Sequence, residues 1–143
     1  MRVQGSTLLP AEPERVWLVL VDWERQASWM PDVAWIRVDG PERGLGARLS
    51  VRTKVVAVPM VIDQVVVTVW EPPRRLGVEH RGLVRGRGEW LLTPVPGGTT
   101  FEWTEELTMP PGRLGELALR LYGPIQRRML RRSLTNLSRL VGP

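Results

Sequence analysis

Hydrophobic and polar positions repeat with two different periods along the chain, and the switches between them mark three stretches. Residues 3–9 suit a short strand, which Pro10 stops. Pro13, flanked by Glu12 and Glu14, opens a short helix through Val16, Trp17 and Leu20. Proline lacks only an N–H that the first helical turn leaves unbonded, and acids favour the positive end of the helix dipole. Asp22 can cap a second short helix over residues 23–29, which ends before Met30-Pro31 because a residue preceding proline avoids the α region. From Val33 to Met109 the period is two, giving strands at 33–38, 47–55, 60–71, 76–81, 85–93 and 99–109. The links between them carry Gly or Pro and are mostly short, as antiparallel hairpins require. Over residues 113–141 the helical period returns, with Leu114, Leu117, Leu121 and Ile125 as the apolar stripe before Gly123-Pro124 and Leu130, Leu134, Leu137 and Val141 after it. A kink is expected at Pro124, where proline removes a backbone bond and crowds the preceding turn.

Alternation along the strands sorts their faces. Gly88, Trp90 and Leu92 share one side, as do Phe101, Trp103 and Glu105, then Leu76, Val78 and His80, then Val61, Asp63, Val65, Val67 and Val69. Leu49 lies on the apolar face of its strand, and Arg48, Arg52 and Lys54 on the solvated one. Three ionisable groups, Asp63, His80 and Glu105, thus fall on the apolar side, where a charge is costly unless paired or wetted. Each has a structural alternative: a rim or hydrogen-bonded core histidine, an aspartate solvated where its strand leaves the sheet, a glutamate paired with arginine. Trp17, Trp23, Trp29 and Trp35 recur every six residues, a spacing that matches neither period.

Composition narrows the chemistry. A chain of 143 residues, 43% hydrophobic, has room for one domain with a core, residues 1–143. The absence of cysteine excludes disulfides, thiolate metal sites and a cysteine nucleophile, and a single histidine, His80, excludes histidine-rich metal sites. No Gly-x-Ser-x-Gly elbow and no metal-ligand spacing is present, and Gly44-Leu45-Gly46 and Gly86-Arg87-Gly88 read as turn glycines. No apolar run approaches the ~18 residues of a membrane span, and the first ten residues do not read as a signal peptide, so a cytoplasmic location is expected. The net charge of +5 is unevenly placed: residues 113–143 hold seven Arg and one acid, for +6, while the remaining 13 bases and 14 acids give −1. Arg127, Arg128, Arg131 and Arg132 should face solvent. That face lacks the interleaved aromatics of a nucleic-acid binder, so no nucleic acid is expected. It suits a plain solvated surface, an anionic membrane surface or a protein contact.

The order strand, two short helices, six antiparallel strands and long helix resembles the START-like helix-grip superfamily, in particular its polyketide cyclase/dehydratase and lipid-transport group. The residues that carry the resemblance are Pro10-Ala11-Glu12-Pro13-Glu14-Arg15-Val16-Trp17, Asp22 and Trp29-Met30-Pro31-Asp32-Val33. Glu71-Pro72-Pro73-Arg74-Arg75-Leu76, Gly86-Arg87-Gly88-Glu89-Trp90, Gly98-Thr99-Thr100-Phe101-Glu102-Trp103 and Gly123-Pro124 follow. The resemblance implies an α+β fold in which a curved antiparallel sheet of about seven strands grips the C-terminal helix around a cavity. A hydrophobic or amphipathic small molecule is then the expected partner, with no cofactor and no metal. On the sequence, the cavity residues are expected to be Trp90, Trp103, Phe101, Val65, Val67, Val78 and Leu49, with Met60, Met109, Leu121, Tyr122 and Ile125 towards its mouth and lid. Three functions fit: binding or transport of that molecule; a cyclase or dehydratase in which His80 and an acid, Asp63 or Glu105, serve as acid and base; or a coenzyme-Q-binding-like or protein-interaction module that uses the Arg-rich helix face.

Overall fold

The computed structural model of the chain describes residues 1–41, 43–55 and 58–142. Seven strands, β1 (Arg2–Leu9), β2 (Val33–Val38), β3 (Arg48–Val55), β4 (Val58–Glu71), β5 (Arg75–Arg81), β6 (Arg85–Val95) and β7 (Gly98–Thr108), form one sheet in the order β1-β7-β6-β5-β4-β3-β2. Every adjacent pair is antiparallel. Between β1 and β2 lie α1 (Pro13–Leu20) and a 3-10 helix (Trp23–Ser28), and α2 (Gly112–Val141) closes the chain. The architecture is the α+β helix-grip arrangement, with the two short helices close to the expected positions, although Asp22 makes no side-chain cap bond and instead lies 3.6 Å from Arg25.

Hydrophobic burial joins the layers. Leu9, Leu20, Phe101, Leu92, Leu137 and Val141 have essentially no exposed surface, and Trp29 sits among Trp90 and Trp103 with ring centroids 6.0 and 6.1 Å away. Phe101 packs against Trp90 and Trp103 at 6.0 and 6.4 Å, edge-on to the first and tilted to the second, in the offset geometries aromatic quadrupoles favour. At Gly5 of β1 an added Cβ would overlap Leu130 Cδ2, so this glycine lets α2 come close to the sheet.

Three features depart from the sequence reading. The register shifts between Val67 and Val69, because β4 carries an extra residue there; Val69 therefore pairs with Gly77 on the outer face, and Trp70 turns in to meet Trp17 edge-on at 5.2 Å. Gly86 and Gly88 lie within β6 rather than in a turn. The largest departure concerns the apolar stripe of α2, a single helix that runs through Pro124. Leu114, Leu117, Leu121 and Ile125 face solvent, with Leu114 and Leu121 more than 70% exposed (71% and 73%). The inward face of that half is Gly115, Leu119, Tyr122, Gly123 and Gln126. An uninterrupted helix keeps its phase, so the positions set by Leu130, Leu134 and Leu137 project back at about 3.6 residues per turn to Leu119 and Gln126 and miss the leucine stripe.

Candidate functional site

A cavity of about 380 Å³ lies between the concave face of the sheet and the N-terminal half of α2. Its wall is mainly apolar: Trp90 from β6, Trp103 from β7, Leu49 and Val51 from β3, Val65 from β4, and Leu76 and Val78 from β5. The 3-10 helix and the residues after it add Trp23, Gln26 and Met30, and α2 adds Ala118, Leu119, Tyr122 and Gln126. Leu83 and Ala118 line it while remaining exposed, and so mark where it reaches the surface.

Two of the ionisable groups on this wall meet directly. His80 Nε2 lies 2.8 Å from Glu105 Oε2, and Trp103 Nε1 donates to the other carboxylate oxygen, Glu105 Oε1, at 3.0 Å. His80 is on β5 and Glu105 on β7, with β6 between them. Two strands away in a sheet is about 10 Å, too far for side chains to meet over an ordinary residue. Gly88 of β6 pairs with Glu105 on one side and Val78 on the other. A Cβ there would stand 2.6 Å from both Glu105 carboxylate oxygens. The missing side chain is what lets the glutamate lie across β6 to reach the histidine.

Electrostatics follow from this packing. Burial acts to depress the His80 pKa, but the hydrogen bond and charge of Glu105, with the charge of Asp63, outweigh it and leave His80 above its ordinary value. Asp63 accepts a hydrogen bond from the Leu83 N–H at 3.0 Å and is thereby tied to the β5–β6 turn, and burial holds its carboxyl above the ordinary range. Asp32, just before β2, also lines the cavity; burial raises its pKa, opposed by its own backbone N–H and by Lys54, and reinforced by the charge of Glu105. Tyr122, across the cavity on α2, is raised by burial and by the nearby charge of Asp32.

Of the residues expected at the cavity from sequence, Trp90, Trp103, Val65, Val78, Leu49, Met109 and Tyr122 line it, and so do Asp63, His80 and Glu105. Phe101 and Val67 do not: they are wholly buried behind the wall, where Phe101 supports the two tryptophans. Leu121 and Ile125 lie on the solvent side of α2, for the reason of helical phase given above. The side chain of Met60 lies outside the described residues. Arg127, Arg128, Arg131 and Arg132 are exposed. Sequence reasoning missed Asp32, Gln26 and Trp23, because no strand period reaches residues in the short helix or in the link before β2. Asp63, for which solvation at a strand end is the structural alternative, is half-buried and also accepts the bond from the turn.

A larger depression of about 1020 Å³ lies open to solvent, lined in part by Arg2, Arg81, Arg85 and Arg87 with Glu79 and Glu106. Its acids are already paired with its own arginines, Glu79 with Arg81 and Glu106 with Arg87, each at 3.0 Å. Among the described residues no group of three or more His, Asp or Glu is placed to hold a metal ion, and no helix is long and apolar enough to cross a membrane.

Comparison with known proteins adds to this geometry. The family described as polyketide cyclase/dehydrase and lipid transport matches residues 1–142. Protein TTHA0849 from Thermus thermophilus superposes with a TM-score of 0.80 at 20% identity, over 99% of this chain and 97% of that one. The Zhui aromatase/cyclase from Streptomyces sp. R1128 gives 0.79 at 15% identity, over 99% and 93%. The di-domain aromatase/cyclase StfQ of the steffimycin pathway gives 0.77 at 14% identity, with 96% of this chain matching 49% of that one. Identities this low speak for the shared fold alone. No curated protein matches the chain in sequence.

Proposed function

Because the chain belongs to the polyketide cyclase/dehydrase and lipid-transport family, we propose that it binds an apolar or amphipathic small molecule in the cavity between the sheet and α2. The observation that carries this reading is the cavity itself, about 380 Å³ with Trp90, Trp103 and aliphatic side chains for walls and polar groups set among them. Concave apolar spaces with convergent polar groups are the usual form of a small-molecule site. The test is native mass spectrometry of the chain purified without denaturation, beside Leu119→Trp, which places an indole in the cavity. A bound apolar adduct on the parent chain and its loss in the variant are expected. A bare mass for both, with no quenching of tryptophan fluorescence by a panel of apolar ligands, would overturn the reading.

The short His80–Glu105 contact favours a second reading, in which the bound molecule is also transformed. Acid–base chemistry on a polyketide-like ligand needs one proton donor and one acceptor at the same wall. In the loss of water from a β-hydroxyketone, a carboxylate such as Asp32 takes the α-proton while the C–O bond breaks. The hydroxyl leaves as water with a proton from the His80 imidazolium, giving the conjugated ketone; proton exchange then resets both groups. His80→Gln should abolish turnover of a β-hydroxyketone that the parent chain dehydrates, while ligand binding persists. Equal turnover in the variant would refute catalysis by this pair.

A further inference from the structure

The ionisable groups of the cavity differ in kind from those of the chain around it: four acids and His80 line it. The chain has 20 basic side chains and a net charge of +5, yet among the described residues no Lys or Arg lines the cavity. The acids that line it are Asp32, Asp63, Glu89 and Glu105. Three of these have partners: Glu89 turns to Arg75 with contacts of 3.0 and 3.1 Å, Glu105 is held by His80 and Trp103, and Asp63 by the Leu83 N–H. Asp32 is different. Among the described residues its carboxyl has only its own backbone N–H, with Lys54 close enough to be felt but making no ion pair with it, and it lines the cavity together with Tyr122, which feels its charge. A carboxylate in such a place lacks the counter-charge that burial makes valuable.

Resting on the binding function proposed above, we propose that the ligand carries a cationic or hydrogen-bond-donating head, an amine in the strongest case, which sits at Asp32 while its apolar body lies against Trp90 and Trp103. The aromatic walls suit the same class, because the face of an indole attracts a cation. A carboxylate or phosphate head is disfavoured at this position, since it would meet the field of Asp32 and Asp63 with no lining arginine or lysine among the described residues to answer it, and His80 is already held by Glu105. The outer surface argues the other way, because a net charge of +5 draws anions to the protein as a whole. A preference for cations can therefore come only from the cavity.

The test is calorimetric titration of the full chain, at about pH 7 and low salt, with three ligands of equal chain length: decylammonium, 1-decanol and decanoate. Decylammonium should bind at least about tenfold tighter than decanoate, with decanol between them. Asp32→Asn should narrow the ammonium–carboxylate ratio to within about twofold while leaving decanol binding in place, which also shows that the variant is folded. Decanoate binding as tightly as decylammonium, or an ammonium preference that survives Asp32→Asn, would overturn the proposal. Failure of all three to bind would instead remove the cavity-binding function on which it rests. Leu119→Trp serves as the control, expected to lose all three.

Discussion

The two halves of α2 meet the sheet with different chemistry. From Leu130 to Val141 the inward positions are filled by Leu130, Leu134, Leu137 and Val141, all buried, and the helix is drawn onto β1 at Gly5. From Gly115 to Gln126 the inward positions are glycine, Leu119, Tyr122 and Gln126, which leave a cavity beneath them. The apolar residues of that half are spent on the outside, at Leu114, Leu117, Leu121 and Ile125. One half thus contributes stability and the other contributes space. Apolar atoms that face a void lack partners and forgo dispersion energy, so a cavity must be supported by tight packing elsewhere in the same elements.

Substitutions that separate the halves are ordered by their expected size. Leu137→Ala removes a fully buried side chain from the closed half and should cost about 2–5 kcal/mol in chemical denaturation. A loss below about 0.5 kcal/mol would mean that this half is not the anchor. Gly5→Val forces a branched side chain into Leu130 and should cost about 1–3 kcal/mol, which Leu130→Ala should partly relieve in the double variant.

At the open half the expected effect is on a proton rather than on folding. NMR titration should show His80 protonating above the ordinary histidine value of about 6.5. Because its folded value is raised, the stability drawn from the His80–Glu105 pair is fully present below about pH 6.5 and is lost as pH rises through the folded value. Glu105→Gln removes the main cause of the elevation and leaves burial, so His80 should move downwards. Gly88→Ala, which crowds the Glu105 carboxylate, should lower it in the same direction. An unmoved His80 in both variants would break the link between Gly88, Glu105 and His80. The smallest effect belongs to the outward stripe: Leu121→Ala, at 73% exposure, should change stability by no more than about 0.5 kcal/mol.

That stripe also marks where reading the sequence stops. Leu114, Leu117, Leu121 and Ile125 recur at helical spacing as well as Leu130, Leu134 and Leu137 do, and spacing within each set does not tell which of them faces inwards. The helix runs through Pro124 without interruption, and one phase serves its whole length. Val69 is a smaller instance of the same kind, because one extra residue in β4 reverses every face beyond it and nothing in a run of valines announces the position.

The element order, the antiparallel sheet and the polar set Asp63, His80 and Glu105 on the concave side were determined by the sequence, because periods of two and 3.6 and the turn residues act over a few positions. The meeting of His80 with Glu105 was decided only by the tertiary structure, since it depends on which strand lies between them and on that strand having glycine at position 88. So was the exposure of Asp32 to the cavity, which joins a residue just before β2 to a wall built from β3 to β7. Local patterns fix which way a side chain leaves its own strand or helix. Which other side chains it meets is set by contacts between residues far apart in the chain, and there the site is made.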